Sequence, residues 1–422
     1  MRFFALFSFV SISLFAENWP GWRGPNGDGV SSEKDIPVKW SRTENIAWKT
    51  AIPGKGLSSP IIWDDRVFLT TCLPNKEERI LMCLDRSNGK VLWQTVAVKS
   101  PLETLHRLNS HASSTPATDG KLVFVTFLKV GGRKVPAPNV STPRLITPGT
   151  ILVVAYDMEG EKKWSVEIGD FISAHGFNAS PVLYKDLVII NGDHDGDAYI
   201  AALVRETGKI RWKVERENKT RSYVTPIIRK IGGRTQMVLS GSKSVVSYNP
   251  STGKRHWMID GPTEQFVASM VCNGEHFFVT GGYPERHILA IRPDGHGNVT
   301  NTHISWRTNR GAAYVPSPIV EGPHLLVVSD NGIVSCFTAK DGRRLWMERL
   351  GGGHSASIVS ADGLVYCVSD KGITTVLRSG PKFDVISRND IAEQVSSSPA
   401  ISNGQIFLRS DKHLFCIGSK KN

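Results

Sequence analysis

Imidazole, phenol and guanidinium side chains recur in this chain close to short pairs of small residues. They are His111 in LNSHASSTP, His175 and Asn178 in SAHGFNASP, Arg221 and Tyr223 in TRSYVTP, Arg310 and Tyr314 in RGAAYVPSP, and His354 in GGGHSASI. Such groups supply donors, acceptors and flat faces, the equipment of a binding site for a polar ligand. The three histidines could also hold a metal ion through neutral imidazole nitrogens. Asp193, Asp195 and Asp197 in NGDHDGDA alternate carboxylates, and hard cations such as Ca²⁺ take oxygen ligands of this kind. No glutamate stands where an EF-hand loop needs one, so a simple tight turn is the favoured reading of the segment. There is no G-x-S-x-G elbow and no H-E-x-x-H pair, so nothing points to hydrolysis.

The elements that must position these residues are announced by a repeat. Five times a glycine precedes a tryptophan by four residues: Gly89 and Trp93, Gly160 and Trp164, Gly208 and Trp212, Gly253 and Trp257, Gly342 and Trp346. Trp48 and Trp306 continue the series, with successive intervals of 45, 71, 48, 45, 49 and 40 residues. Near-regular spacing at this period, with short β-branched runs, marks a radial β-repeat. Each unit opens on a small residue: Ser59, Thr115, Ser180, Thr225, Ser269, Ser317, Ser357 and Ser398. Small residues suit innermost strands crowded around an axis. The expectation is an all-β, eight-bladed β-propeller of four-stranded antiparallel blades over 45–418. The last unit ends after three strands and NIAWKTA (45–51) is an orphan, so the N-terminal strand should pair with the last blade and leave no open edge. Unit seven lacks the tryptophan, and unit five stretches its turn.

Antiparallel order puts the hairpins between second and third strands, and the linkers between blades, on one upper rim. All the candidate side chains fall there, near the mouth of the axial channel. So does an insertion in unit two, Lys129 to Thr150, with four basic residues, four prolines and no acid. It reads as a positively charged flap that lids a site or docks a partner. Met1 to Ala16 has one charge, an apolar stretch and a small residue at its end, which reads as a signal peptide and an export address. An N-terminal segment, 17–44, precedes the ring and a short tail, 419–422, follows it. The net charge of +12 is spread without a dense stripe, which argues against a nucleic-acid partner. Of the six cysteines, Cys83, Cys336 and Cys416 share one repeat position and read as core; Cys72 and Cys83 flank one hairpin and could pair across it.

The D-x-x-T-G-x-x-x-W phrase resembles the repeat of the PQQ-like (quinoprotein) β-propellers, the family of the quinoprotein alcohol dehydrogenases and of the outer-membrane assembly scaffold BamB. The opening Trp19-Pro-Gly-Trp22-Arg-Gly-Pro-Asn-Gly-Asp-Gly29 resembles the start of secreted bacterial PQQ-like proteins. The dehydrogenase branch implies pyrroloquinoline quinone (PQQ), Ca²⁺ held by Glu and Asn, and an aspartate base, yet no Glu-Asn-Asp set matches and the vicinal cysteines of several such enzymes are absent. The resemblance to BamB itself lacks the expected lipid-anchor cysteine. The reading is therefore a monomeric, periplasmic or extracellular binding or scaffold module without a cofactor, meeting an envelope protein, peptide or glycan at the channel mouth. A PQQ- and calcium-dependent dehydrogenase is the alternative.

Overall fold

A computed structural model describes residues 17–419; the proposed signal, Met1–Ala16, lies outside the described residues. Among the described residues eight sheets, each built on four antiparallel strands and two of them extended by a parallel fifth, surround an axis, and the chain is an eight-bladed β-propeller. Blade one shows the plan, with Ile61–Trp63, Arg66–Leu73, Glu78–Asp85 and Val91–Lys99 hydrogen-bonded in sequence order. Its second strand is buried continuously from Val67 to Cys72 because neighbouring blades cover both faces, whereas the outer strand mixes exposed and half-buried residues. The ring is latched as its two ends require: Ile46–Ala51 pairs antiparallel with His413–Ile417, bringing Trp48 opposite Cys416.

The glycine and the tryptophan of the repeat act across blades. Gly89 turns at φ +72°, and a Cβ there would lie 2.5 Å from the Trp48 ring of the preceding blade. Gly160, Gly208, Gly253 and Gly342 meet Trp93, Trp164, Trp212 and Trp306 in the same way. Each of those rings then donates its indole N–H to a backbone carbonyl of the same turn, Trp48 to Arg86 at 2.7 Å and Trp164 to Arg205 at 2.7 Å. The phrase is thus a blade-to-blade clasp, which needs glycine both for the left-handed backbone and for the close approach. Gly208→Ala, at φ +70° and with its Cβ 2.7 Å from Trp164, should lose about 1–3 kcal/mol from the backbone alone. A lowered urea midpoint would show it.

Where the repeat lapses, other residues fill in. The stretched turn of blade five lays Gly297–Asn298 parallel along the outer strand of blade four, and Trp257 turns its N–H to Gln236 Oε1 at 2.8 Å. Blade seven has no tryptophan on its outer strand, Val385–Asp390. Trp40 from the N-terminal segment lies over its Tyr366 instead, ring centroids 6.5 Å apart, and is pinned by Asn389, whose Oδ1 accepts the Trp40 backbone N–H at 3.0 Å. Cys72 and Cys83 are free thiols, not a bridge: the ladder sets Cys72 against Arg79 and Cys83 against Phe68. Burial raises both, to about 11 and about 12, so neither is a ready nucleophile.

Candidate functional site

The eight small residues that open the blades do more than avoid a clash. Seven of their hydroxyls, all but that of Thr225, accept backbone N–H groups from neighbouring blades: Ser59 N–H donates to Thr115 Oγ1, Thr115 to Ser180, Thr225 to Ser269, Ser269 to Ser317, Ser317 to Ser357, Ser357 to Ser398, and Ser398 back to Ser59, all at 2.8–3.0 Å. This belt fixes the channel bore. Below it the N-terminal segment crosses the axis as a plug. Trp19 exchanges two backbone bonds of 2.9 Å with Ile62 of blade one, Pro20 O accepts from Thr118 of blade two, and Asp28 pairs with Arg229 of blade four at 2.7 Å. Arg23 reaches Pro318 O of blade six at 2.6 Å, and Val30–Ser31 joins Val359–Ala361 of blade seven. The channel becomes a blind cavity of about 860 Å³, with Trp22 among its walls.

Five of the eight candidates line this cavity: His175, Asn178, Arg221, Tyr223 and Tyr314. His175 stacks on Tyr223 with centroids 6.4 Å apart and meets His106 at 5.0 Å. Arg221 Nε donates to His175 Nδ1 at 3.3 Å, which leaves the ring proton on Nε2. Burial, then the Arg221 charge, with His106 and Arg144 adding to it, hold His175 down to about 3. The ring is neutral at physiological pH. Burial pushes the Tyr223 and Tyr314 phenols above their ordinary value, so they too are uncharged donors. The unfolded chain protonates His175 near 6.5 and the folded one only near 3, so stability from this residue is present above 6.5 and is lost as pH falls through that window. His175→Gln, which keeps an acceptor for Arg221, should flatten the fall in thermal midpoint between about pH 7 and about pH 4.5.

The other three are turned aside. His111 Nε2 lies 3.0 Å from the Glu103 carbonyl, Arg310 is exposed off the wall, and His354 is buried with its backbone N–H on Asp330 O. The three aspartates diverge, each toward its own cation. Asp193 pairs with Arg216 at 2.8 Å, Asp195 with Arg221 at 2.8 Å and Asp197 with Lys219 at 2.6 Å. Among the described residues no cluster of three His, Cys, Asp or Glu side chains could hold a metal.

Asp195 has a further use. Its Oδ1 accepts from Asn139 Nδ2 at 3.1 Å, and both Arg221 terminal nitrogens donate to Asn139 O at 3.1 Å. Asn139 belongs to the insertion, whose base extends the blade-two strands Leu122–Val130 and Gly149–Asp157 and whose tip carries a short ladder, Val135–Pro136 with Leu145–Ile146. The insertion is thereby tied over the mouth, where Asn139, Val140, Ser141, Thr142 and Arg144 join the cavity wall. His106, Asn109, Lys243, Glu264 and Tyr283 also line the cavity without having stood out in the sequence, and Trp22 of the opening motif joins them.

These features define a β-propeller with a plugged axial cavity under a basic flap. A family model described as outer membrane protein assembly factor BamB matches residues 30–142, 136–346, 298–380 and 332–417. The chain belongs to this BamB-like family of PQQ-type propellers. Over 100 residues, 24% of the chain, it is 29% identical to the outer membrane protein assembly factor BamB of Burkholderia pseudomallei, and the match spans 26% of that relative's length. Its fold is similar to that of BamB from Moraxella catarrhalis, at TM-score 0.57 and 12% identity over 89% of this chain and 97% of the other. It is similar also to a europium-containing methanol dehydrogenase, at TM-score 0.66 and 10% identity over 93% and 90%. At such identity these structures speak to fold alone.

Quinone chemistry would need a divalent ion beside the cofactor and a carboxylate base aimed at the substrate. Among the described residues the wall carries one acid, Glu264, which lies 3.6 Å from Lys243, and the nearby Asp195 is taken by Arg221. The residues present do not fit that set, and no catalytic step is derived through it.

Proposed function

We propose that the protein is an exported binding module of the cell envelope that takes an envelope protein, peptide or glycan at the mouth of its plugged channel and acts as a monomer. The observation that carries this reading is the cavity itself: about 860 Å³, walled by hydroxyls, neutral imidazoles, phenols and an indole, and overhung by the basic flap. Its size falls within the roughly 300–1,000 Å³ of ligand pockets, and its polar groups converge from every side as specific recognition requires. Membership of a family described by outer membrane protein assembly supports an envelope address. So does the signal-like Met1–Ala16. Among the described residues no helix is long and apolar enough to cross a membrane.

The test is capture from an envelope fraction by the purified protein and by a variant with residues 131–148 replaced by a short glycine-serine link. Loss of the captured species in the variant is expected. Equal recovery would remove the mouth from the function. The dehydrogenase reading is checked in parallel with PQQ and Ca²⁺, which should neither raise the thermal midpoint nor support dye-linked alcohol oxidation; a clear shift with turnover would replace the binding reading.

A further inference from the structure

We infer that the cavity is built for an acidic oligosaccharide, a short chain of pyranose rings bearing carboxylates, an inference that rests on the channel mouth being a binding site. Three independent features of the wall converge on this chemistry.

The first is the belt. Ser59, Thr115, Ser180, Ser357 and Ser398 all line the cavity, and each oxygen already accepts a backbone N–H from a neighbouring blade. Among the described residues none of these hydroxyls donates to a protein acceptor, although each is at least nine-tenths buried. Their hydrogens are left for whatever occupies the axis, so the bore is a ring of donors that selects an oxygen-rich acceptor.

The second is charge. Among the described residues Arg144 on the flap makes one hydrogen bond, to the Ala174 carbonyl at 3.4 Å, and no ion pair. Beneath the floor the Arg23 guanidinium sits 5.8 Å from the Trp22 ring, wholly buried, with Nε and Nη1 unpartnered. The Arg221 charge is balanced by Asp195 and that of Lys243 by Glu264. A surplus of positive charge therefore stands above and below the cavity, where low-dielectric walls focus it on an anion.

The third is the set of flat faces. Trp22 is half-buried in the wall, Tyr314 and Tyr283 face each other with centroids 6.5 Å apart, and Tyr223 stacks on His175. Aromatic planes beside hydroxyl donors suit a pyranose, with its apolar C–H face and its rim of oxygens. An acidic peptide would need free backbone groups for strand pairing. The channel withholds many of them: the backbone N–H groups at seven blade openings are spent on the belt, and the inner edges of blades one and seven are taken by the plug, Ile62 by Trp19 and Val359–Ala361 by Val30–Ser31.

The experiment titrates the purified protein with tri-galacturonate, its neutral counterpart galactotriose, tri-glutamate and citrate, reading tryptophan fluorescence and thermal midpoint. Tri-galacturonate should quench the emission and raise the midpoint. Galactotriose should bind at least about tenfold more weakly, and Arg144→Ala should cost about tenfold for the acidic sugar, the size of one charge-assisted contact. Trp22→Phe, which keeps a ring in the plug, should abolish most of the quench. Lys382→Ala, an exposed charge on the opposite rim, should change nothing. Equal affinity for galactotriose, tighter binding of tri-glutamate or citrate, or an unaltered Arg144→Ala titration would overturn the inference. None of these touches the envelope capture, so failure of the ligand class and failure of the binding role are read separately.

Discussion

Arg216→Ala should destabilise the protein by about 3–5 kcal/mol, because it strands the Asp193 carboxylate in the interior without its cation. The two side chains are 2% and 0% exposed, and Arg216 also donates to Tyr248 Oη at 2.9 Å and Gly241 O at 3.0 Å, which knits blade three to blade four. The neighbouring pair makes the control. Lys219 and Asp197 are 66% and 90% exposed, so Lys219→Ala should cost no more than about 1 kcal/mol although the ion pair is just as short. Adding Asp193→Asn to Arg216→Ala should recover part of the loss, since the stranded charge is then gone. Urea unfolding of the four proteins checks all three statements. Similar losses at the two pairs would mean that burial does not govern these contacts.

Trp48→Ala is expected to cost about 3–5 kcal/mol and to do so by loosening the ring closure. The ring is 8% exposed, packs on Phe407 and Gly89, and bonds Arg86 O, all from the one strand that joins the two ends of the chain. Trp93 makes the equivalent clasp between two contiguous blades, at Met158 O, and is less buried. Trp93→Ala should therefore lower the midpoint less and leave the latch resistant to limited proteolysis, whereas Trp48→Ala should expose residues 45–51 to cleavage. Cleavage of both variants at the same rate would argue against a special role for the latch.

The ring was legible because its signals are local and repeated. Gly-x-x-x-Trp and the small blade openings count the units, and the truncated eighth unit with an orphan strand at 45–51 tells where the circle shuts. Three physical reasons hid the rest. Serine and threonine at the openings look the same whether chosen for size or for hydrogen bonding, so the belt emerges only from the distances. The plug has no repeat at all, and its partners lie in blades one, two, four, six and seven, scattered along the chain, so nothing near Trp22 or Arg23 announces the cavity floor. Side-chain direction was the other gap. His111, Arg310 and His354 stand beside innermost strands as His175 and Tyr314 do, yet proximity in sequence does not say which way a loop residue turns. Trp40, which stands in for the tryptophan missing from blade seven, was likewise invisible until the N-terminal segment was placed.

The most direct measurement places a photo-crosslinking amino acid at Ser141, in the flap at the cavity mouth, or at Lys382, on the opposite rim, in protein produced in living cells. The mouth position should give discrete adducts that fade when tri-galacturonate competes, and the opposite rim should give none. Adducts of equal yield from both positions, or from Lys382 alone, would contradict recognition at the plugged channel.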